Sequence, residues 1–248
     1  MKISNYWLNG LFGLTLFGLV ACGGSSEQAA ETEEAPAETA SSEDGWVTMF
    51  TTDTKDGWTQ LNGQANYEIK DGVVIGTTKA GEPNSFLSTD KMYSDFILEY
   101  EVMVDTALNS GVQIRSHQYE KDSTVMIPNR EGELIERNQK EGRVHGYQIE
   151  IDPSPRAYSG GVYDEARRGW LQDLSENEAA RNAFKRDDWN QFRVEAIGDT
   201  IRTFVNGVPA ANLVDTMDAS GFIALQVHSI RTDDTLQVMW RNIRIKEM

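Results

Sequence analysis

The feature that most constrains this chain is a two-residue alternation of apolar and polar side chains, recurring from residue 46 to the end. Successive side chains of an extended strand point to opposite faces, so this pattern specifies sheets with one buried face. Asp95–Asp105 is the clearest case: Phe96, Leu98, Tyr100, Val102 and Val104 share one face, and Ile97, Glu99, Glu101, Met103 and Asp105 share the other. Tyr67–Lys70 and Val73–Ile75 read as a hairpin about Asp71-Gly72, which suits the positive φ angles of a tight turn. Asn206-Gly207 gives the same signal between Asp199–Val205 and Val208. Further strands are predicted at 111–116, 146–152, 160–163, 189–197, 221–228 and 236–246.

One helix is predicted, after the capping box Ser175-Glu176-Asn177-Glu178. Ser175 is the expected cap, Leu174 the staple onto Ala179, and Ala180, Ala183 and Phe184 continue the apolar stripe. Ser116–Val144 and Ala166–Asp188 resist assignment; the first is charged and non-periodic, and an internal loop that long is usually functional or disordered. Many strands, tight turns and a single short helix predict an all-β, two-sheet antiparallel sandwich of jelly-roll type, and too few helices remain for parallel βαβ winding.

Charge excludes some partners. The net charge is -16, and nothing basic is clustered enough to make a nucleic-acid footprint or a polybasic lipid contact. The one cysteine, Cys22, leaves no intrachain disulfide and no Cys-based metal site. It follows Lys2 and an apolar run from Trp7 to Ala21 that is too short for a stop-transfer span. Leu19-Val20-Ala21-Cys22-Gly23-Gly24 resembles the lipobox of bacterial lipoproteins. That resemblance implies a signal peptide over 1–21, a lipid on Cys22, and membrane attachment through this anchor alone. The expected location is the cell envelope, on the periplasmic or surface face of the outer membrane. Gly23–Asp44 carries seven acids, no base and no aliphatic residue larger than Ala. It cannot bury enough apolar surface to offset its ordering entropy, so 22–44 is expected to be an extended tether. Those acids, set against Lys2, leave -10 of the charge to the domain at 45–248.

Alternation also selects candidate site residues. Tyr147, Ile149 and Ile151 are expected in the core, with Gln148, Glu150 and Asp152 together on the opposite face. Val112 and Ile114 point in, with Gln113 and Arg115 out; Ile223, Leu225 and Val227 point in, with Gln226 and His228 out. If these strands share a sheet, the outward face is a row of polar groups suited to sugar hydroxyls. Tyr158, Tyr163 and Trp170 lie in adjoining segments, and aromatic rings stack on sugars. Arg167-Arg168 reads as a salt-bridged loop, and His117 and His145 as surface histidines. The three histidines have no HxH or HExxH spacing. The sequence names no cofactor with certainty; a divalent metal is possible, with Glu150, Asp152 and His228 as its candidate ligands.

Glu150 and Asp152 stand two apart on one strand, which puts their Cβ atoms about 6.5–7 Å apart. That spacing does not exclude a glycosidase. Concanavalin-like β-glucanases carry Glu-x-Asp-x-x-Glu on such a strand. Here Gln148 holds the first position, and an amide cannot be the nucleophile.

Over residues 46–248 the chain resembles the 3-keto-disaccharide hydrolase domain family, also called 3-keto-α-glucoside lyase / 3-keto-2-hydroxy-glucal hydratase domains. The matching strings are Gly45-Trp46, Gly57-Trp58, Asn109–Val112 with Arg115, Gly146–Asp152 and Ser159–Asp164. Trp189-Asn190, Asn206-Gly207, Leu225–His228 and Arg241–Ile245 follow in family order. Many relatives carry Glu and then Gln in this string, where this chain has Gln148 and then Glu150. The resemblance implies a concanavalin-like jelly roll and a 3-keto-glycoside as carbohydrate partner. A C3 ketone acidifies C2–H, a base takes that proton, and the C1 oxygen leaves. On that basis His228 or Glu150 is the expected base and Arg115 the electrostatic stabiliser. Asn109, Gln113, Gln148, Asp152, Tyr163, Trp170 and Gln226 are the expected substrate contacts. A lectin-like binding module and a conventional glycoside hydrolase are the competing expectations.

Overall fold

The structure is a computed structural model that describes residues 44–128 and 133–248. The predicted signal peptide, Cys22 and nearly all of the tether lie outside the described residues. Strands β1 (Val47–Thr48), β2 (Trp58–Asn62), β3 (Asn66–Lys70), β4 (Val73–Thr77), β5 (Ser85–Thr89) and β6 (Phe96–Val104) lead to β7 (Ser110–Gln118). A hairpin of β8 (Ser123–Pro128) and β9 (Leu134–Gln139) precedes β10 (Val144–Ile151), β11 (Val162–Glu165) and β12 (Gly169–Gln172). Helix α1 (Glu178–Arg181) comes before β13 (Asn190–Ile197), β14 (Thr200–Val205), β15 (Val208–Val214), β16 (Phe222–Val227) and β17 (Gln237–Glu247).

Two antiparallel sheets result. The first runs β15-β14-β13-β6-β17-β4-β3, with β1 on β17, and the second runs β12-β11-β10-β7-β16-β5-β2. Their apolar faces make the core. Strand β6 alternates as predicted, and Phe96, Leu98, Tyr100, Val102 and Val104 are all buried. Opposite them lie Val112, Ile114, Tyr147, Ile149, Ile223 and Leu225 from the second sheet. Both predicted tight turns form, with positive φ at Asp71, Gly72, Asn206 and Gly207. Tyr67 ties the sheets together, its buried hydroxyl lying 2.8 Å from the Ser85 carbonyl and 2.9 Å from that of Leu225.

Three segments depart from the sequence reading. Ser116–Val144 is no loop: β7 runs on to Gln118, and β8 and β9 pair only with each other. Most of that hairpin's described residues are exposed or half-buried on both faces, so no core selects an apolar alternation. Ala166–Asp188 contributes β12, an edge strand on β11. The helix is capped by Asn177, whose Oδ1 accepts from the Ala180 amide at 3.1 Å, and not by Ser175. Ser175 instead donates its hydroxyl to Asp173 Oδ1 at 2.7 Å.

The fourth departure sets the site. Strand β7 bulges at Arg115, where φ is +44°. The ladder to β10 jumps from Ile114↔Tyr147 to His117↔His145, and the ladder to β16 from Gln113↔Ala224 to Ser116↔Phe222. Gly146 and Gly221 flank the bulge, and a Cβ on either would lie within 2.4 Å of Ser116 or Arg115 atoms. A bulge inserts one residue and reverses the facing of what it carries.

Candidate active site

Strand β10 carries Gln148, Glu150 and Asp152 on the outer face of the second sheet, with Tyr147, Ile149 and Ile151 in the core. Its neighbour β7 sets Gln113 against Gln148 and Gly111 against Glu150, and β16 sets Gln226 against Gly111. A Cβ on Gly111 would sit 2.5 Å from Gln148 Cγ, so this glycine is the space across which Gln148 lies. Gln148 Oε1 accepts from Gln113 Nε2 and from Gln226 Nε2, each at 2.8 Å. With its oxygen doubly engaged, Gln148 turns its Nε2 to Glu150 Oε2 at 3.0 Å. Asn109 Nδ2 donates to Glu150 Oε1 at 2.6 Å.

Glu150 is the chemically distinctive group. Burial pushes its carboxyl up to about 7, and the Asp152 charge adds to the rise. The amide donors of Asn109 and Gln148 and the Arg156 guanidinium oppose it. Arg156 Nη2 lies 3.4 Å from Glu150 Oε1, and its Nε donates to Asp152 Oδ2 at 2.8 Å. The guanidinium also packs 5.2 Å from the Trp170 ring centre and 5.3 Å from that of Tyr158. A carboxyl poised near neutrality can exchange a proton with a bound ligand.

These residues floor an open cleft of about 1210 Å³. The expected contacts Asn109, Gln148, Asp152 and Gln226 line it, as do Glu150 and His228. Tyr163 and Trp170 form part of its wall, and Ile127 and Ile135 face it from the β8–β9 hairpin. Gln226 is fully buried, and its Oε1 has no partner among the described residues, although the residue borders the cleft.

Three expectations need correction. Arg115 is not at the cleft. The bulge sends it between the sheets, where it is 1% exposed and bonds the Ser94 and Gly198 carbonyls and Asp95. Gln113 is fully buried and does not line the cleft; it holds Gln148 from the side. Glu150, Asp152 and His228 do not gather as metal ligands: among the described residues no three such groups cluster around one point. Asp152 is engaged by Arg156 and by the amide of Ser154 at 3.1 Å, which shapes the turn after β10. Those residues therefore do not fit a resident metal ion.

Sequence reasoning missed Arg156 and Glu165. Arg156 follows Asp152 by four residues in a turn, where strand alternation carries no information. Glu165 is buried at the cleft, its carboxyl raised by burial while Arg143 and His228 oppose the rise. Arg167 and Arg168 do form the expected salt-bridged loop. They share Asp164 and reach Asp218 and Asp215 respectively. His117 is part-exposed, but His145 is half-buried against Tyr119, and burial lowers it to about 4.

Comparison with known proteins follows from this geometry. Residues 45–246 match the family model of the 3-keto-alpha-glucoside-1,2-lyase-like domain. The fold is similar to that of a candidate glycosyl hydrolase from Parabacteroides distasonis, with TM-score 0.51 and 15% identity over 83% of this chain and 94% of that one. It is also similar to a Bacillus subtilis protein of unknown function with a galectin-like fold, with TM-score 0.51 and 8% identity over 77% and 90% of the two chains. A search of curated proteins gives no match.

Proposed function

This chain belongs to the 3-keto-alpha-glucoside-1,2-lyase-like domain family, and on that premise we propose that its cleft cleaves glycosidic bonds of sugars oxidised at C3. The observation that carries this reading is Glu150, a buried carboxyl held at about 7 on the cleft floor. The chemistry it suits is proton abstraction. Glu150 removes the C2 proton, and the electron pair passes into an enediolate spanning C2 and C3. Collapse of the enediolate breaks the C1–O bond and expels the aglycone oxygen, which takes a proton from a water molecule. The hydroxide so formed adds to C1 of the C1–C2 double bond, and the proton on Glu150 returns to C2.

Other groups take supporting roles. Arg156 replaces Arg115 as the cation opposite the developing C3 oxyanion, an interaction that strengthens as charge builds in the transition state. His228 lies 2.8 Å through Nδ1 from the Ser229 carbonyl, which makes Nδ1 the donor and leaves the Nε2 lone pair to accept from the water that protonates the aglycone oxygen. Asn109 orients a hydroxyl.

The test is a sugar panel, a 3-keto-glucoside against the same glucoside unoxidised. Cleavage of the keto sugar alone is the expected result. Cleavage of both selects a conventional glycoside hydrolase, and binding without turnover selects a lectin-like module. Because the ionised carboxylate is the active form, kcat/KM is expected to climb with pH and level off above about 7. A profile flat between pH 5 and 9 would remove Glu150 as the base.

We also propose that the domain works outside the cytoplasm on a lipid anchor. Cys22→Ser is expected to move the protein from the detergent phase to the aqueous phase on detergent partitioning. Wild-type protein that already partitions into water would overturn the anchor.

A further inference from the structure

The cleft is larger than one sugar ring needs. Sites that enclose a drug-sized ligand run to roughly 300–1,000 Å³, and this one is about 1210 Å³. The polar groups of β10, β7 and β16 occupy its floor. The wall made by the β8–β9 hairpin is different in kind. Register sets Val125 against Arg137 and Ile127 against Ile135. Alternation puts all four side chains on one hairpin face, and Ile127, Ile135 and Arg137 border the cleft. Met126 and Leu134 belong to the opposite, solvent face.

Charge distinguishes Arg137 from every other arginine there. Arg156 is neutralised by Asp152 and Glu150, Arg167 by Asp164 and Asp218, and Arg168 by Asp164 and Asp215. Glu165, the remaining acid of the cleft, is held by Arg143. Arg137 has no carboxylate partner among the described residues. In a chain of net charge -16, a lone guanidinium beside two isoleucines is an exception to the local rule of pairing.

The geometry points to a second subsite on the hairpin wall, which takes an aglycone with an apolar body and a carboxylate. Ile127 and Ile135 cover the apolar part, and Arg137 meets the carboxylate with its planar fork of donors. This inference rests on the glycoside-cleaving reading, because it assigns the leaving group of that reaction. It makes Arg137 a specificity-determining residue that leaves the proton transfer untouched.

The experiment compares the 3-keto-glucoside of 4-hydroxybenzoate with that of its methyl ester, for wild type and Arg137→Gln. Wild type is expected to favour the acid by about tenfold in kcat/KM, the size of one charge-assisted hydrogen bond. Arg137→Gln is expected to bring that ratio to about one through a higher KM for the acid. A wild-type ratio of one, or a loss that falls equally on acid and ester, overturns the subsite. If wild type cleaves neither compound, the cleavage reading fails by itself. Calorimetry with 4-hydroxybenzoate alone then decides the subsite. Binding that Arg137→Gln abolishes supports it, and no binding to wild type overturns it.

Discussion

Glu150→Gln is expected to lower cleavage of a 3-keto-glucoside by about 10²–10⁴-fold, the range that a positioned general base supplies. The same substitution is expected to stabilise the fold above neutral pH. Burial raises the folded-state carboxyl from 4.5 to about 7, so the folded protein prefers it protonated. The stability this preference contributes is complete below the unfolded value and is lost as pH rises through the folded one. At pH 8–9 the wild type therefore carries an ionised buried carboxylate at a cost of about 3 kcal/mol at most. Glutamine removes that charge. It also sets an amide hydrogen against one of the two donors, Asn109 or Gln148, and so returns part of the gain. A net rise in Tm of about 3–6 °C at pH 8–9 follows, with little change near pH 5. Thermal unfolding of both proteins across that range is the measurement. Full activity in Glu150→Gln would end the proposed chemistry, and an unchanged Tm difference across pH would show that the carboxyl titrates elsewhere.

The sheets were legible in the chain because most strands set an apolar face against a polar one. Strand β6, the two tight turns and the polar face of β10 follow from alternation alone. Legibility failed where the two faces of a strand do not differ in polarity. Strand β5 is buried on both faces, and its Ser-Phe-Leu-Ser-Thr string has no period to read. The β8–β9 hairpin fails for the opposite reason, since neither of its faces joins the core. The site was legible to the same extent. Gln148, Glu150, Gln226 and His228 follow strand phase into the cleft, whereas Arg156 comes from a turn and Arg137 from the hairpin. Arg115 was misplaced by one inserted residue. Alternation assumes an unbroken strand, and a bulge announces itself only through the glycines that make room for it on neighbouring strands.

Arg115→Met is therefore expected to destabilise the protein while sparing its chemistry. The guanidinium donates to the Ser94 carbonyl at 2.8 Å and the Gly198 carbonyl at 2.7 Å, and pairs with Asp95 at 3.0 Å. It thus fastens the bulge of β7 to the approach to β6 and the turn between β13 and β14, which belong to the other sheet. Methionine restores much of the volume but none of the donors, so the carbonyls of Ser94 and Gly198, at the rim of the sandwich, lose their partner. Each such loss costs about 1–3 kcal/mol. Asp95 adds little, because its side chain is 41% exposed and water can replace the cation. A total of about 2–4 kcal/mol corresponds to a Tm lower by roughly 5–15 °C for a domain of this size. Lysine should not rescue it, since one ammonium cannot span three acceptors that a planar fork reaches together. At 25 °C the folded variant is expected to cleave a 3-keto-glucoside with kcat/KM within about threefold of wild type, less than 1 kcal/mol of transition-state binding. A variant with wild-type Tm and no turnover would put Arg115 back at the reacting sugar and would count against the bulge as the device that turns it away.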